Sequence, residues 1–147
     1  MKSLINTESR ASVFLIRLLV GIVFLSEGIQ KFLFAERLGV GRFIKIGLPH
    51  PEFLSPLVGT FEIICGALVI IGLLTRLASI PLIVIISTAI ISTKIPILLH
   101  SGIWAMLHEA RTDMSMLLGS IFLLIRGGGG WSLDYRILQK LRPETHG

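Results

Sequence analysis

Apolar residues run almost without interruption through four stretches of this chain, separated by short polar or glycine- and proline-containing segments. The first extends roughly from Ala11 to Phe34, the second from Phe53 to Leu74, and the third from Leu77 to Leu99. Each matches or exceeds the about 20 residues that a helix needs to cross a bilayer. The fourth stretch is short if it starts at Asp113. It reaches spanning length only if it begins near Ile103 and carries Glu109, Arg111 and Asp113 at its outer end. The pattern predicts an all-α, integral membrane four-helix bundle, with helices at about 11–34, 53–74, 77–99 and 103–126. Links this short leave no room for a separate soluble domain, so residues 1–147 are expected to form a single transmembrane domain.

Glycine and proline punctuate the pattern. Between the first two helices, Gly47-Leu48-Pro49-His50-Pro51 resists helix, because a residue before proline leaves the α region. Within the same link, Phe43-Ile44-Lys45-Ile46 is short and amphipathic, and fits either an interfacial or a re-entrant segment. Gly72 and Arg76 suit the C-terminus of the second helix. The few residues that follow force the second and third helices into an antiparallel hairpin. Pro81 falls in the first turns of the third helix, where a missing donor does least harm. Pro96 is expected to kink or end that helix. Gly127-Gly128-Gly129-Gly130 stops the fourth, and Trp131 and Tyr135 after it fit an interfacial aromatic belt.

Composition agrees with a membrane protein. The chain has 147 residues, 52% of them hydrophobic, and a mean hydropathy of +0.82, well beyond a soluble domain. Its net charge of +5 would suit nucleic acid if the basic residues were clustered, but they are scattered among the links, and no nucleic acid is expected. They report orientation instead. Eight of the 14 Lys and Arg lie on the side of the termini and second link, six on the other. Arg126, Arg136, Lys140 and Arg142 crowd one helix end. Both termini are therefore expected in the cytoplasm. Lys2 and Arg10 ahead of an apolar run imitate a secretory signal, but Arg17 interrupts the run and Gly28-Ile29-Gln30-Lys31 offers no cleavage pattern. The single cysteine, Cys65, excludes an intramolecular disulfide and fits a small packing residue.

Glu62 is the position that points to chemistry. A carboxylate near the middle of a span costs on the order of 3 kcal/mol to insert, so it needs a partner, a proton or a polar cavity. On the first helix, Arg17, Gly21, Phe24, Gly28 and Lys31 share a narrow stripe, with Glu27 at its edge. On the second, Gly59, Glu62 and Gly66 share a face, again with glycines seven apart. Small residues at such spacing let transmembrane helices approach closely. At the helical rise per residue, Glu27 lies roughly 10 Å and Glu62 roughly 13 Å below the surface where the first helix exits. Lys94 and Asp113 belong to the same half. Glu27, Lys31, Glu62, Lys94 and Asp113 are thus candidates for one outward-opening polar pocket. Arg17, nearer the opposite edge, joins them as a second candidate partner for Glu62 after Lys31. The plainer alternative is that Glu27 and Lys31 pair with each other and only orient the helix. His50, His100, His108 and His146 lack the spacing of a metal site, and none is predicted. Trp104 with His100 and His108 fits either an interfacial aromatic or a contact to a quinone ring.

Several pieces resemble the DoxX family of small four-helix membrane proteins. They are Arg17-Leu18-Leu19-Val20-Gly21, Glu27-Gly28-Ile29-Gln30-Lys31, Gly47-Leu48-Pro49, the run from Glu62 to Arg76, and Gly130-Trp131-Ser132-Leu133-Asp134. Glycines stand here where the family usually has Gly-Pro-Gly. The resemblance implies a bacterial inner membrane and marks Arg17, Lys31, Glu62 and Arg76 as family-typical positions. Relatives are named for association with thiosulfate:quinone oxidoreductase and quinol oxidase systems, and others are linked to oxidative and thiol stress. A redox-associated subunit is expected, with quinone or a similar small apolar molecule as candidate ligand and a protein partner or a second copy as candidate associate. The single cysteine argues against a dithiol mechanism. The alternatives are a non-enzymatic assembly partner, and a small-solute or proton-coupled transporter with Glu62 as the protonatable group. No catalytic residue is assigned.

Overall fold

The computed structural model describes residues 10–141, and every regular element among them is helical. In chain order these are α1 Arg10–Leu33, α2 Val40–Lys45, α3 Pro51–Ile71, α4 Thr75–Arg126 and α5 Leu133–Leu141. Lys2, Arg142 and His146 lie outside the described residues. α1, α3 and α4 are each long and apolar enough to cross a membrane. Large side chains such as Leu15, Ile22, Ile64, Val84 and Leu118 point outward and are exposed along these helices. Lipid is the solvent in which such a surface carries no penalty. The chain is an all-α membrane protein.

α4 is 52 residues long, which as a straight rod would measure about 78 Å. It is folded instead. Gly102 has φ 82° and ψ 176°, a conformation open in practice only to glycine. Lys94 Nζ lies 3.1 Å from Asp113 Oδ2, and Arg76 donates to the Ile125 carbonyl at 3.0 Å. Contacts between positions so far apart in sequence require two antiparallel arms, 75–101 and 103–126. The second arm starts where it was expected. The turn itself is a correction: Pro96 neither ends nor breaks the first arm, which continues in helix to the residue before Gly102.

α3 begins at Pro51, two residues earlier than its hydropathy suggested, because His50 takes a left-handed conformation and Pro51 occupies the first helical turn. It ends on Gly72, also left-handed, whose N–H bonds to the Leu68 carbonyl at 2.9 Å. In the link before α3, the amphipathic stretch forms α2, whose Phe43 is buried where α2 packs on α3.

The core joins Val13, Val20 and Phe24 of α1, Cys65 and Val69 of α3, and Ala78, Leu82, Ile86, Met116 and Leu123 from the two arms of α4. Cys65 is a packing residue in that cluster. Among the described helices, α1 and α3 share the most extensive contact. A Cβ placed on Gly28 would come within 2.7 Å of the Gly59 carbonyl, and one on Gly66 within 2.8 Å of the Leu25 nitrogen. Backbone thus touches backbone, the arrangement that small residues permit between helices in lipid. The first arm of α4 buries no residue between 87 and 101. The bundle is tight at the end that holds the chain's Arg17 and looser at the end that holds Lys31.

Candidate functional site

Side chains on a helix lean toward its N-terminus. On α1 that tilts Lys31 back over the turn of Glu27 and Gly28. On the antiparallel α3 the same rule tilts Glu62 the opposite way, toward the end of the molecule where Lys31 stands. The two converge across the glycine contact, and Lys31 Nζ lies 2.7 Å from Glu62 Oε2. Glu62 is 3% exposed and the Lys31 side chain 11%, so the pair is desolvated. Glu27, one turn before Lys31 and half exposed, stands 3.9 Å from the same ammonium, too far for a direct hydrogen bond. Lys31 therefore faces two carboxylates and pairs closely with the buried one, whose Oε2 has no hydrogen bond of good geometry among the described residues. An ammonium carries three N–H donors.

Lys94 and Asp113 form a second ion pair at 3.1 Å across the two arms of α4. Both are largely shielded, at 12% and 24% exposure. Among the described residues, no ion pair links this set to Lys31 and Glu62. Five of the six candidate residues thus fall into two groups, one between α1 and α3 and one within α4. His50, His100 and His108 are exposed, and so is Trp104 at the tip of the α4 hairpin. Among the described residues no three His, Cys, Asp or Glu side chains sit close enough to hold a metal ion.

Arg17 does not join either group, and its placement corrects the expectation. It lies 14 positions before Lys31 on α1, about 21 Å along the axis. Only 1% of it is exposed. Its Nε donates to the Val69 carbonyl at 2.9 Å and one terminal nitrogen to Ile70 at 2.5 Å. The other terminal nitrogen donates to Gly128 at 3.1 Å and Trp131 at 2.8 Å. Val69 and Ile70 belong to the last turn of α3, which carries its negative dipole end and where backbone capping is incomplete: the Val69 carbonyl accepts from the Gly72 N–H at 3.2 Å. One guanidinium answers both needs and holds the glycine segment after α4. Phe14 flanks it, with Arg17 Cζ 5.8 Å from the ring centre and Trp131 edge-on to that ring at 5.6 Å.

The same end carries two further long-range caps that the sequence did not reveal. The Asp134 carboxylate accepts from the Leu74 N–H at 2.7 Å and the Thr75 N–H at 3.0 Å, capping the start of α4 from nearly 60 positions away. Arg76, expected at the end of α3, bonds to Ile125 in the last turn of α4. The run Gly130-Trp131-Ser132-Leu133-Asp134 was the available signal. Its Ser132 hydroxyl donates to Gly129 at 2.6 Å and accepts from the Tyr135 N–H at 3.1 Å, shaping the turn that delivers Asp134.

The family model described as DoxX matches residues 12–95, which include Arg17, Glu27, Lys31, Glu62 and Lys94. The chain belongs to the DoxX family. Rv3486 of Mycobacterium tuberculosis (strain ATCC 25618 / H37Rv), called an uncharacterized membrane protein, is 52% identical over 143 residues, covering 93% of this chain and 88% of that protein. The Bacillus subtilis (strain 168) protein called "Putative oxidoreductase CatD" is 31% identical over 130 residues, covering 88% of this chain and 89% of its own. No solved structure matches the chain significantly. Within this DoxX protein the family-matched segment thus contributes the Lys31–Glu62 pair and Arg17. The glycines and Asp134 that complete the Arg17 end lie beyond it.

Proposed function

We propose that this DoxX protein is a redox-associated subunit of the bacterial inner membrane that binds a quinone, or a similar small apolar molecule, beside Lys31 and Glu62. The observation that carries the proposal is the buried pair itself. Glu62 sits about midway along α3, and Lys31 faces it at 2.7 Å with an ammonium that has three N–H donors to share. A quinone ring partitions into lipid, and its carbonyl oxygens accept hydrogen bonds of the kind that Lys31 can still give. Bound there, it would supply the two-electron chemistry. Lys31 would orient a carbonyl, and Glu62 and Glu27 would hold or pass protons at the ammonium. Electrons would come from a partner protein, since a single buried cysteine, Cys65, offers no dithiol couple. The relative's name, which includes the word oxidoreductase, supports the redox class and nothing finer. The whole chain would act as one domain with four crossings, both termini cytoplasmic and the pair opening outward.

Thermal unfolding of the purified protein in lipid nanodiscs, with and without a short-chain quinone, tests the proposal. Wild type should be stabilised by the quinone, and Glu62→Gln should keep its fold while losing that stabilisation. No shift in wild type would sink quinone binding. A stable partner complex on pull-down, without any shift, would then favour an assembly role, and pH-dependent flux in liposomes would favour transport.

A further inference from the structure

We infer that α5 lies in the plane of the membrane surface and binds anionic phospholipid headgroups through Arg136 and Lys140. The orientation of α5 is fixed by its first turn. Asp134 caps the start of α4, and its own N–H donates to the Gly72 carbonyl at 2.9 Å. α5 therefore starts at the level where α3 ends and α4 begins, the level of a membrane interface if these helices span. At 100° per residue, Leu133, Ile137, Leu138 and Leu141 occupy one arc of the helix, and Asp134 lies within that arc. Because Asp134 points at the helix ends, the apolar arc is turned toward the bilayer.

Nothing in the described chain covers that arc: Ile137 is 45% exposed, Leu138 59% and Leu141 73%. A helix of nine residues is also too short to hold its shape in water without a surface to pack on. Acyl chains and glycerol at the interface supply one. Arg136 and Lys140 flank the arc on one side, placed to extend their charged ends from an apolar bed to phosphate. Tyr135 flanks the other side, and Trp131 stands exposed just before the helix, both suited to the headgroup layer. The one acidic residue of α5, Asp134, is committed to the α4 cap. What remains facing the headgroups is cationic, so an anionic surface is selected over a neutral one. Each basic residue near such a surface is worth about a fivefold preference.

The test uses the full chain in nanodiscs, in a Cys65→Ala background, with spin labels at Ile137→Cys or Gln139→Cys. The label at 137 should collide mainly with oxygen dissolved in lipid, and the label at 139 mainly with a water-soluble nickel chelate. Equal access to the nickel chelate at both positions would overturn the in-plane placement. Shielding of both labels from both reagents would overturn it in favour of a protein partner. Native mass spectrometry of protein supplied with equal phosphatidylglycerol and phosphatidylcholine tests the headgroup. Combined Arg136→Gln and Lys140→Gln should lower the phosphatidylglycerol preference by about 25-fold, while combined Arg136→Lys and Lys140→Arg should keep it. An unchanged preference in the glutamine variant would overturn the assignment of those two residues.

Discussion

Lys31 and Glu62 are opposite charges with unequal freedom. Glu62 is held in the middle of α3, whereas Lys31 stands two residues from the end of α1 on a flexible stem, with Glu27 at 3.9 Å as a second partner. Removing one partner of a buried pair commonly costs about 3–5 kcal/mol, because the other charge is left without compensation. That cost should fall unequally here. Lys31→Met strands a carboxylate that cannot reach water, and should approach the full penalty. Glu62→Gln leaves a lysine that can extend to the surface, and should cost clearly less. The double variant should recover most of the loss of Lys31→Met. Thermal unfolding of the four proteins in detergent checks the order, and a larger loss for Glu62→Gln than for Lys31→Met would contradict it.

At the scale of elements, two glycine positions govern how the helices meet. Gly28 carries the α1–α3 contact: its missing Cβ makes room for the Gly59 carbonyl at 2.7 Å. Gly59 is different, since a Cβ there would meet the edge of the Phe32 ring at 2.9 Å, a side chain that can swing away. Gly28→Ala should therefore destabilise by about 1–3 kcal/mol as backbone is pushed apart, and Gly59→Ala by distinctly less. Melting temperatures in one detergent decide between them. Gly102 acts through conformation alone, for a Cβ there would meet no atom within 4 Å. Gly102→Ala should still cost about 1–3 kcal/mol, because φ 82° with ψ 176° is strained for any L side chain. A neutral effect on the melting temperature would mean that the α4 turn is not held in this conformation.

Over the whole molecule, the two ends have different characters. The end with Arg17 is clasped by backbone carbonyls and by caps reaching across the sequence, and the core lies toward it. The opposite end carries the ion pairs of Lys31 and of Lys94 in the part of the bundle where the first arm of α4 buries no side chain between 87 and 101. Arg76, Arg126, Arg136 and Lys140 stand at the clasped end, and the proposed cytoplasmic setting of that end draws on the preference of positive residues for the inside. A C-terminal reporter that works only in the cytoplasm should be active, and one that works only outside should be silent. The reverse pattern would place the Lys31–Glu62 pair on the cytoplasmic half and require its ligand to come from there.

The apolar runs alone determined that the chain is a helical membrane protein, because in hydrocarbon only length and hydropathy are needed to specify a span. The glycine stripes of α1 and α3 were equally legible, since a seven-residue spacing maps directly onto one helix face. The convergence of Lys31 with Glu62 could be anticipated from depth and periodicity. Other features had no local signature. Pro96 looked capable of ending a helix, and only the tertiary structure, with Lys94 paired to Asp113 across the arms, reveals that the chain turns at Gly102 instead. Arg17 looked like a member of the polar pocket because it shares the stripe of Lys31. Its partners are backbone carbonyls of α3 and of the glycine segment, and a carbonyl leaves no trace in the residue sequence. Asp134 caps a helix that begins 59 residues earlier. Such a contact exists only once the termini of three helices have been gathered at one end, and that is a property of the tertiary structure.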